Sequence, residues 1–166
     1  VVEFSATPLG TIIASAVTDD NGVAKYNGNL PTLSGSLIIG DTSVTATANG
    51  ASQTVTVTFK PGPPHPDKTQ LEVQPSSLPA DGTTMAVVRM RCLDYNGNTV
   101  EDGLPVAFEL DTSFGSITPA AVTKYGDAYA NLTAGTKLGT TQVKATITYS
   151  KPPVNINVEE TTDVTF

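Results

Sequence analysis

Alternating polar and apolar residues run through most of the chain and predict β-strands. Two segments of this kind, 43–48 and 54–59, lie in the first third of the sequence. A strand turns successive side chains to opposite faces, so each segment has one apolar face. The predicted apolar face consists of Val44, Ala46, Ala48, Val55, Val57 and Phe59. The pattern continues in 70–73, 84–93, 106–110, 127–132, 141–149, 154–158 and 163–166. No stretch shows a helical period.

Turn-forming residues separate these segments. The groups are Pro75-Ser76-Ser77, Ala80-Asp81-Gly82, Asn96-Gly97-Asn98 and Gly135-Thr136-Lys137. Glycine supplies the positive φ that tight turns need, and Asp or Asn caps the turn with its own side chain. Structural turn positions are therefore predicted at Asp81, Gly82, Asn96, Gly97, Gly22 and Gly126. Short strands at this spacing predict an all-β fold, an antiparallel sandwich.

The sequence also repeats itself. The matches, in order, are Val2-Glu3-Phe4 with Val106-Ala107-Phe108, Gly10-Thr11-Ile12 with Gly115-Ser116-Ile117, Ala16-Val17-Thr18 with Ala121-Val122-Thr123, Gly22-Val23-Ala24 with Gly126-Asp127-Ala128, 40–46 with 139–145, and Val57-Thr58-Phe59 with Val164-Thr165-Phe166. The segment 61–66 between the copies contains four prolines, which lack a backbone donor and favour extended polyproline geometry. We predict two modules, 1–60 and 67–166, joined by a semi-rigid linker at 61–66.

The first module lacks a counterpart of 67–105, which by pattern carries the initial strands of the second module. Several apolar residues of the first module should therefore lack part of their covering sheet, namely Phe4, Ile12, Val44, Val57 and Phe59. The missing strands either lie upstream in a longer polypeptide or come from another chain by strand addition. We favour the first explanation, because the strands at 67–105 are already needed by their own module.

Composition and charge narrow the classes of function. The chain has 166 residues, a net charge of -7, 6% aromatic residues, one cysteine and no tryptophan. An acidic surface repels phosphate, so nucleic acid and anionic membranes are poor partners. A single cysteine excludes an internal disulfide framework, and no apolar run is long enough to insert into a membrane.

The second block resembles a known family. It reads Pro75-Ser76-Ser77-Leu78-Pro79-Ala80-Asp81-Gly82, then Asp94-Tyr95-Asn96-Gly97-Asn98, then Val106-Ala107-Phe108. This is similar to the bacterial Ig-like modules of the invasin and intimin type. The resemblance implies tandem disulfide-independent Ig-like β-sandwiches, located outside the cell and used as rods in adhesins. Thr99 stands where the family usually has proline, and nothing matches the receptor-binding tip of such adhesins.

One cluster of oxygen ligands superficially resembles the start of a calcium loop. It contains Asp94, Asn96, Asn98, Glu101 and Asp102. A full calcium loop has glycine at position six and glutamate at position twelve, and this spacing is absent. A hairpin turn is the favoured interpretation, with a weak calcium site as the alternative, and no other cofactor is predicted. The segment 19–22 is a second turn of the same kind.

The remaining candidate residues have ordinary structural explanations. We expect His65 to be exposed in the linker and Cys92 to lie in the core as a small apolar residue. The carboxylates of Glu159 and Glu160 lie near a strand end in a solvated setting. Two further modifications remain open: glycosylation at Asn131, and a Lys–Asn isopeptide between Lys144 and Asn155 or between Lys25 and Asn29.

The sequence therefore predicts a non-enzymatic structural or adhesive module of an extracellular prokaryotic surface protein, acting as a rod or spacer. Its expected partners are neighbouring Ig-like modules of the same or another chain and an unidentified host or cell-surface receptor. The alternative is a filament subunit that assembles head to tail by strand exchange. A third possibility, a carbohydrate-binding accessory domain, is disfavoured by the scarcity of aromatic rings.

Overall fold

Residues 1–27 and 29–166, which the computed structural model describes, form thirteen β-strands and one short 3-10 turn, Pro66–Lys68. They separate into two units, called here unit 1 (Val1–Lys60) and unit 2 (Pro61–Phe166). The all-β class follows from the alternating sequence pattern, because β-branched Val and Thr pack well on a pleated surface.

Unit 1 contains a single five-stranded antiparallel sheet with the order β3-β2-β1-β4-β5. Its strands are β1 (Val2–Thr7), β2 (Ser15–Thr18), β3 (Ala24–Lys25), β4 (Gly40–Ala48) and β5 (Ala51–Phe59). Asn49 and Gly50, both at positive φ, close the two-residue turn between β4 and β5.

Unit 2 contains two four-stranded sheets, β6-β7-β11-β9 and β10-β8-β12-β13. The strands are β6 (Gln70–Gln74), β7 (Met85–Arg91), β8 (Pro105–Leu110), β9 (Gly115–Ile117), β10 (Ala120–Val122), β11 (Asp127–Ala134), β12 (Thr140–Lys151) and β13 (Val154–Thr165). The apolar faces of both sheets enclose one core that includes Val88, Met90, Leu132, Val143 and Ile147, all fully buried. This is the Ig-like sandwich that the sequence predicts.

The strand pairing repeats the sequence match between the two units. The order β2-β1-β4-β5 of unit 1 equals the order β10-β8-β12-β13 of unit 2. Phe4 pairs with Ala46, and the matching residue Phe108 pairs with Ala145. The repeat therefore holds at the level of individual residue pairs.

Equivalent residues of the two units differ in burial. Val143 and Val164 are 0% exposed, whereas their counterparts Val44 and Val57 are only half-buried. Among the described residues, every buried apolar side chain except Ala16 belongs to unit 2. In unit 2 a second sheet covers the apolar face. The described part of unit 1 has no counterpart of β6 and β7, so its apolar face stays open.

The last strand of the chain is longer than the sequence pattern predicts. The sequence suggested two strands, 154–158 and 163–166, but Val154–Thr165 is one strand that pairs with β12 along its whole length. Acidic residues interrupt the apolar pattern at Glu159 and Glu160 without breaking the strand, because β13 is an edge strand whose side chains reach solvent.

Candidate functional site: the Asp94 hairpin and the open sheet face

The carboxylate of Asp94 organises the hairpin that precedes β8. Asp94 is 3% exposed. Its Oδ1 accepts hydrogen bonds from the backbone N–H groups of Asn96 and Asn98, both at 2.9 Å. Its Oδ2 accepts from the Asn98 side-chain amide at 3.1 Å and from the backbone N–H of Gly62 at 3.0 Å. One buried side chain thus closes the turn and binds a segment more than thirty residues earlier in the chain.

These hydrogen bonds set the charge state of Asp94. Burial alone raises the pKa of this carboxyl, but the donors on Asn98, Gly62 and Asn96 together outweigh burial and hold the pKa below its usual value. Asp94 is therefore charged at neutral pH, and each contact to it is a charge-assisted hydrogen bond.

The proline-rich segment lies on unit 2. Pro64 is fully buried, and the backbone N–H of His65 donates to Leu93 O at 2.9 Å. The His65 ring packs edge-on against Tyr95, with ring centroids 5.2 Å apart. The expectation of an exposed His65 was therefore wrong: its side chain is 32% exposed, because the segment packs beside the hairpin.

The contact between Gly62 and Asp94 was not predicted from the sequence. Within 61–64 only Gly62 has a backbone N–H, since the other three residues are prolines. That single donor points to Asp94. A lone glycine among prolines, matched by a buried carboxylate elsewhere, is the signal that could have predicted this contact.

The candidate calcium ligands do not converge. The Asp94 carboxylate accepts the hydrogen bonds from Gly62, Asn96 and Asn98. Glu101 pairs with Lys151, and Asp102 pairs with Lys124 at 2.7 Å. Asp102 also accepts from the backbone N–H of Tyr125 at 2.7 Å. Across 1–27 and 29–166, no three His, Cys, Asp or Glu side chains are grouped to hold a metal ion. The arrangement fixes loops through separate ion pairs and hydrogen bonds.

The predicted turn positions lie in turns. Positive φ angles occur at Gly22 (80°), Gly82 (76°), Gly97 (84°) and Gly126 (81°). Asp81 accepts from the backbone N–H groups of Thr83 and Thr84 and from the Thr84 hydroxyl. The hydroxyl and these amides hold the pKa of Asp81 far below its usual value. Asp19 plays the same part in the turn that contains Gly22, with Lys25 as its ion-pair partner at 2.8 Å.

Cys92 lies in the core of unit 2 with 0% exposure. Burial raises the pKa of its thiol to about 12, so the thiolate is absent at neutral pH. The side chain acts as a small apolar residue, as expected.

The other candidate side chains are dispersed over β12 and β13. Glu159 pairs with Lys144 at 2.8 Å, while burial raises the pKa of its neighbour Glu160. Lys144 lies opposite Thr161, and Asn155 lies opposite Ser150, so the two residues are not neighbours across the β12–β13 pair. The suggested isopeptide between Lys144 and Asn155 was therefore wrong. Asn131 lies on the exposed face of β11.

The open face of unit 1 forms an apolar surface. It lines a groove of about 410 Å³. The lining residues are Phe4, Ile12, Leu30, Pro31, Val44, Ala46, Gln53 and Val55. Val55, on the edge strand β5, is 61% exposed within this contiguous apolar patch.

The outer face of sheet β6-β7-β11-β9 carries a different surface. Arg89 binds Asp127 through two parallel hydrogen bonds of 3.1 and 3.0 Å. This contact raises the pKa of Arg89 further above its usual value. Met85, Val87 and Tyr129 are exposed beside the pair.

No helix in the described ranges has the length and hydrophobicity that a membrane span requires.

Comparisons with known proteins identify relatives of this architecture. The family model of invasin domain 3 matches residues 65–166. The solved structure of invasin, described as a bacterial integrin-binding protein, is 26% identical, with a TM-score of 0.51 over 95% of this chain and 31% of that chain. InvD of Yersinia pseudotuberculosis is 23% identical, with a TM-score of 0.63 over 99% of this chain and 46% of that one. The Escherichia coli adhesin FdeC is 19% identical, with a TM-score of 0.57 over 99% of this chain and 52% of that one. The chain thus spans about a third to a half of these proteins, and no curated protein matches it.

Proposed function

Because the chain belongs to the invasin domain 3 family, we propose that it is a non-enzymatic spacer of a bacterial surface adhesin, built from Ig-like modules in tandem. Its place would be outside the cell, between the envelope and the part of the protein that contacts a receptor. Invasin itself is described as integrin-binding. For this chain we propose only that the whole protein engages a host or cell-surface receptor.

The observation that carries the proposal is the anchoring of 61–65 on unit 2 through Asp94. A spacer transmits force through the points where the chain enters and leaves each module. Here the entering segment is held by a charge-assisted hydrogen bond at Gly62 and by the backbone bond from His65 to Leu93. These contacts stiffen the entry to unit 2.

The exit from unit 2 is equally well secured. β13 pairs with β12 from Val154 to Thr165, and Thr165 also makes a parallel bridge to Ser77. A pull at the end of β13 therefore loads many backbone hydrogen bonds together. No disulfide is needed, since the only cysteine is buried and free.

The distribution of reactive groups supports a structural role. The carboxylates of the Asp94 hairpin each have their own partner, Cys92 is inaccessible, and the single histidine packs on Tyr95. Catalysis requires a nucleophile or an acid–base pair converging on a pocket, and the described residues place these groups apart.

Single-molecule force spectroscopy tests the spacer role. With handles on both ends of the chain, unit 2 should unfold in one cooperative step that releases about 37 nm of contour length, from 106 residues (61–166) at about 3.5 Å each. The variant Asp94→Ala should unfold at a lower force, while Asp81→Ala serves as a matched control in an exposed turn. Gradual extension of the wild-type chain without a distinct unfolding step would contradict a mechanical role for unit 2.

A second function, a filament subunit, is favoured by one observation: the open face of unit 1. Strands donated by another copy would cover Phe4, Val44 and Val55 and produce a head-to-tail polymer. Negative-stain electron microscopy and light scattering distinguish the two functions. Open-ended fibres that lengthen with concentration would support the filament, and their absence at millimolar protein would exclude it.

A further inference from the structure

Three Asn-Gly pairs of the chain lie in exposed turns and differ in the partner of the glycine N–H group. They are Asn21-Gly22, Asn49-Gly50 and Asn96-Gly97. A fourth pair, Asn27-Gly28, lies partly outside the described residues. Both residues of each of the three pairs are exposed, so water reaches every one of these asparagines. Exposure therefore does not distinguish the three pairs, whereas hydrogen bonding does.

The glycine nitrogen of such a pair is a nucleophile placed beside the asparagine side chain. It can attack the side-chain carbonyl carbon, because the two atoms close a five-membered ring and glycine has no Cβ to obstruct the approach. The nitrogen attacks only after it has lost its proton, so a hydrogen bond that holds this proton slows the reaction. A nearby carboxylate slows it further, because an anion would form next to a negative charge.

Two of the three glycine amides are protected in both ways. Gly22 donates its N–H to Asp19 O at 2.9 Å. Gly97 donates its N–H to Asp94 O at 3.0 Å. The carboxylate of each aspartate lies beside the same turn, where its Oδ1 accepts from the residues on both sides of the glycine. Asp19 is charged at neutral pH, as Asp94 is, because the Lys25 ammonium holds the pKa of its carboxyl below the usual value.

The amide of Gly50 has neither protection. Asn49 and Gly50 form the two-residue turn between β4 and β5, and the strand pairs on either side end at Ala48 and Ala51. Across 1–27 and 29–166, no oxygen accepts a hydrogen bond from the Gly50 N–H. The segment 42–59 around the turn contains no charged residue. The Gly50 nitrogen can therefore lose its proton to solvent more easily than the other two glycine nitrogens.

We propose that Asn49 is a modification site, at which the folded chain deamidates. The Gly50 nitrogen gives its proton to solvent and bonds to Asn49 Cγ, the Cγ–Nδ2 bond breaks, and ammonia leaves. Water then opens the resulting succinimide ring at one of its two carbonyl carbons. Opening at Cγ produces aspartate, and opening at the main-chain carbonyl produces isoaspartate, in which the main chain continues through Cβ and Cγ. Water is the only other reactant.

Both products change the turn between β4 and β5. Each adds a negative charge to an uncharged segment, and isoaspartate also adds an atom to the main chain. The original turn depends on two residues at positive φ, so the lengthened main chain does not close it in the same geometry. The strand pairs nearest the turn, Ala48 with Ala51 and Thr47 with Ser52, should therefore open in the isoaspartate form.

Peptide mapping by mass spectrometry tests the proposal on the whole chain, incubated at pH 8 in heavy-oxygen water. One oxygen atom from water should enter each deamidated peptide. The rate at each pair is divided by its rate in the urea-unfolded chain, which removes the influence of neighbouring residues. One hydrogen bond on the glycine amide corresponds to roughly a fivefold change in rate, so this ratio should be at least about fivefold higher at Asn49 than at Asn21 or Asn96. A ratio at Asn49 that does not exceed the other two would overturn the proposal.

Two variants separate the causes. Asp19→Asn removes the charge beside Gly22 and should speed deamidation at Asn21, while the rate at Asn49 stays at the wild-type value. Asn49→Asp adds the charge without the additional main-chain atom. Its amides near the turn should exchange hydrogen as slowly as those of the wild type, whereas the isoaspartate form, isolated from an aged sample, should exchange faster. An unchanged rate at Asn21 in the first variant, or equal exchange in Asn49→Asp and the isoaspartate form, would contradict the proposed chemistry. None of these results bears on the spacer role of unit 2, which the force experiment tests separately.

Discussion

Replacing Asp94 with alanine should destabilise unit 2 by removing one acceptor that serves several donors. The carboxylate receives the backbone N–H groups of Gly62, Asn96 and Asn98 and the side-chain amide of Asn98. The turn amides lie near the surface, and water can replace the carboxylate there. The donor on Gly62 lies in a packed segment, where replacement is harder.

The size of the effect follows from these contacts. A hydrogen bond to a charged group contributes roughly 1.5–3 kcal/mol, and re-solvation of the turn amides cancels part of the sum. Counting the Gly62 contact fully and one turn contact at half value, we expect a loss of about 3 kcal/mol in the free energy of unfolding. At about 4 °C per kcal/mol for a unit of this size, the melting temperature should fall by about 12 °C.

Thermal and urea unfolding of the full chain, followed by near-ultraviolet circular dichroism, would measure this loss. Asp94→Asn should fall between wild type and Asp94→Ala, because an amide oxygen can accept some of these bonds but its NH2 group opposes the donors. Hydrogen exchange at Gly62 should accelerate in Asp94→Ala. A melting temperature within 2 °C of the wild type, with unchanged exchange at Gly62, would refute the reasoning.

The pH dependence of the same contact has a definite sign. The folded-state pKa of Asp94 lies below the unfolded value of about 3.9, so its stabilisation is complete above that value and is lost as pH falls through the folded pKa. The stability difference between wild type and Asp94→Asn should therefore be constant from pH 5 to 8 and shrink below about pH 4. A difference that grows on acidification would contradict this assignment.

Three further predictions concern single features of the chain. Cys92 should not react with Ellman's reagent at pH 8 in the folded chain, because burial raises the pKa of its thiol to about 12. It should react fully in guanidinium. Rapid reaction of the native chain would show that the core is open. The chain should melt at the same temperature with calcium as with a chelator, because Glu101 is paired with Lys151 and Asp102 with Lys124. A higher melting temperature with calcium would show that the loop rearranges to bind the ion. Gly126→Ala should lower the free energy of unfolding in urea by about 1–3 kcal/mol, because Gly126 has a φ of 81° and an added Cβ would lie 2.8 Å from the Thr99 Cβ. An unchanged urea midpoint would contradict this strain.

The repeat and the strand pattern could be predicted from the sequence because both depend on local rules. Alternation with period two determines which residues share a face, and turn residues mark where strands end. The same rules failed where an edge strand tolerates acidic residues, so β13 was divided at Glu159 and Glu160 although the strand is continuous.

The candidate site was predictable only in part. The Asp94 turn follows from its local sequence, whereas the bond from Gly62 joins residues far apart in the chain. Likewise, proline content predicts that 61–66 is stiff, but only the packing of Pro64 and His65 shows what that segment lies against. The scattering of Glu101 and Asp102 among separate lysines also depends on loops that come together in the fold.

The sequence by itself determined the all-β class, the two copies and the residues that form each apolar face, because these depend on neighbours a few positions away. Only the tertiary structure decided how deeply those faces are buried. Val44 and Val143 occupy the same place in the repeat, yet one is half-buried and the other is fully buried. Burial depends on what lies across the sheet, and that is a property of distant strands and not of the residue or its local pattern.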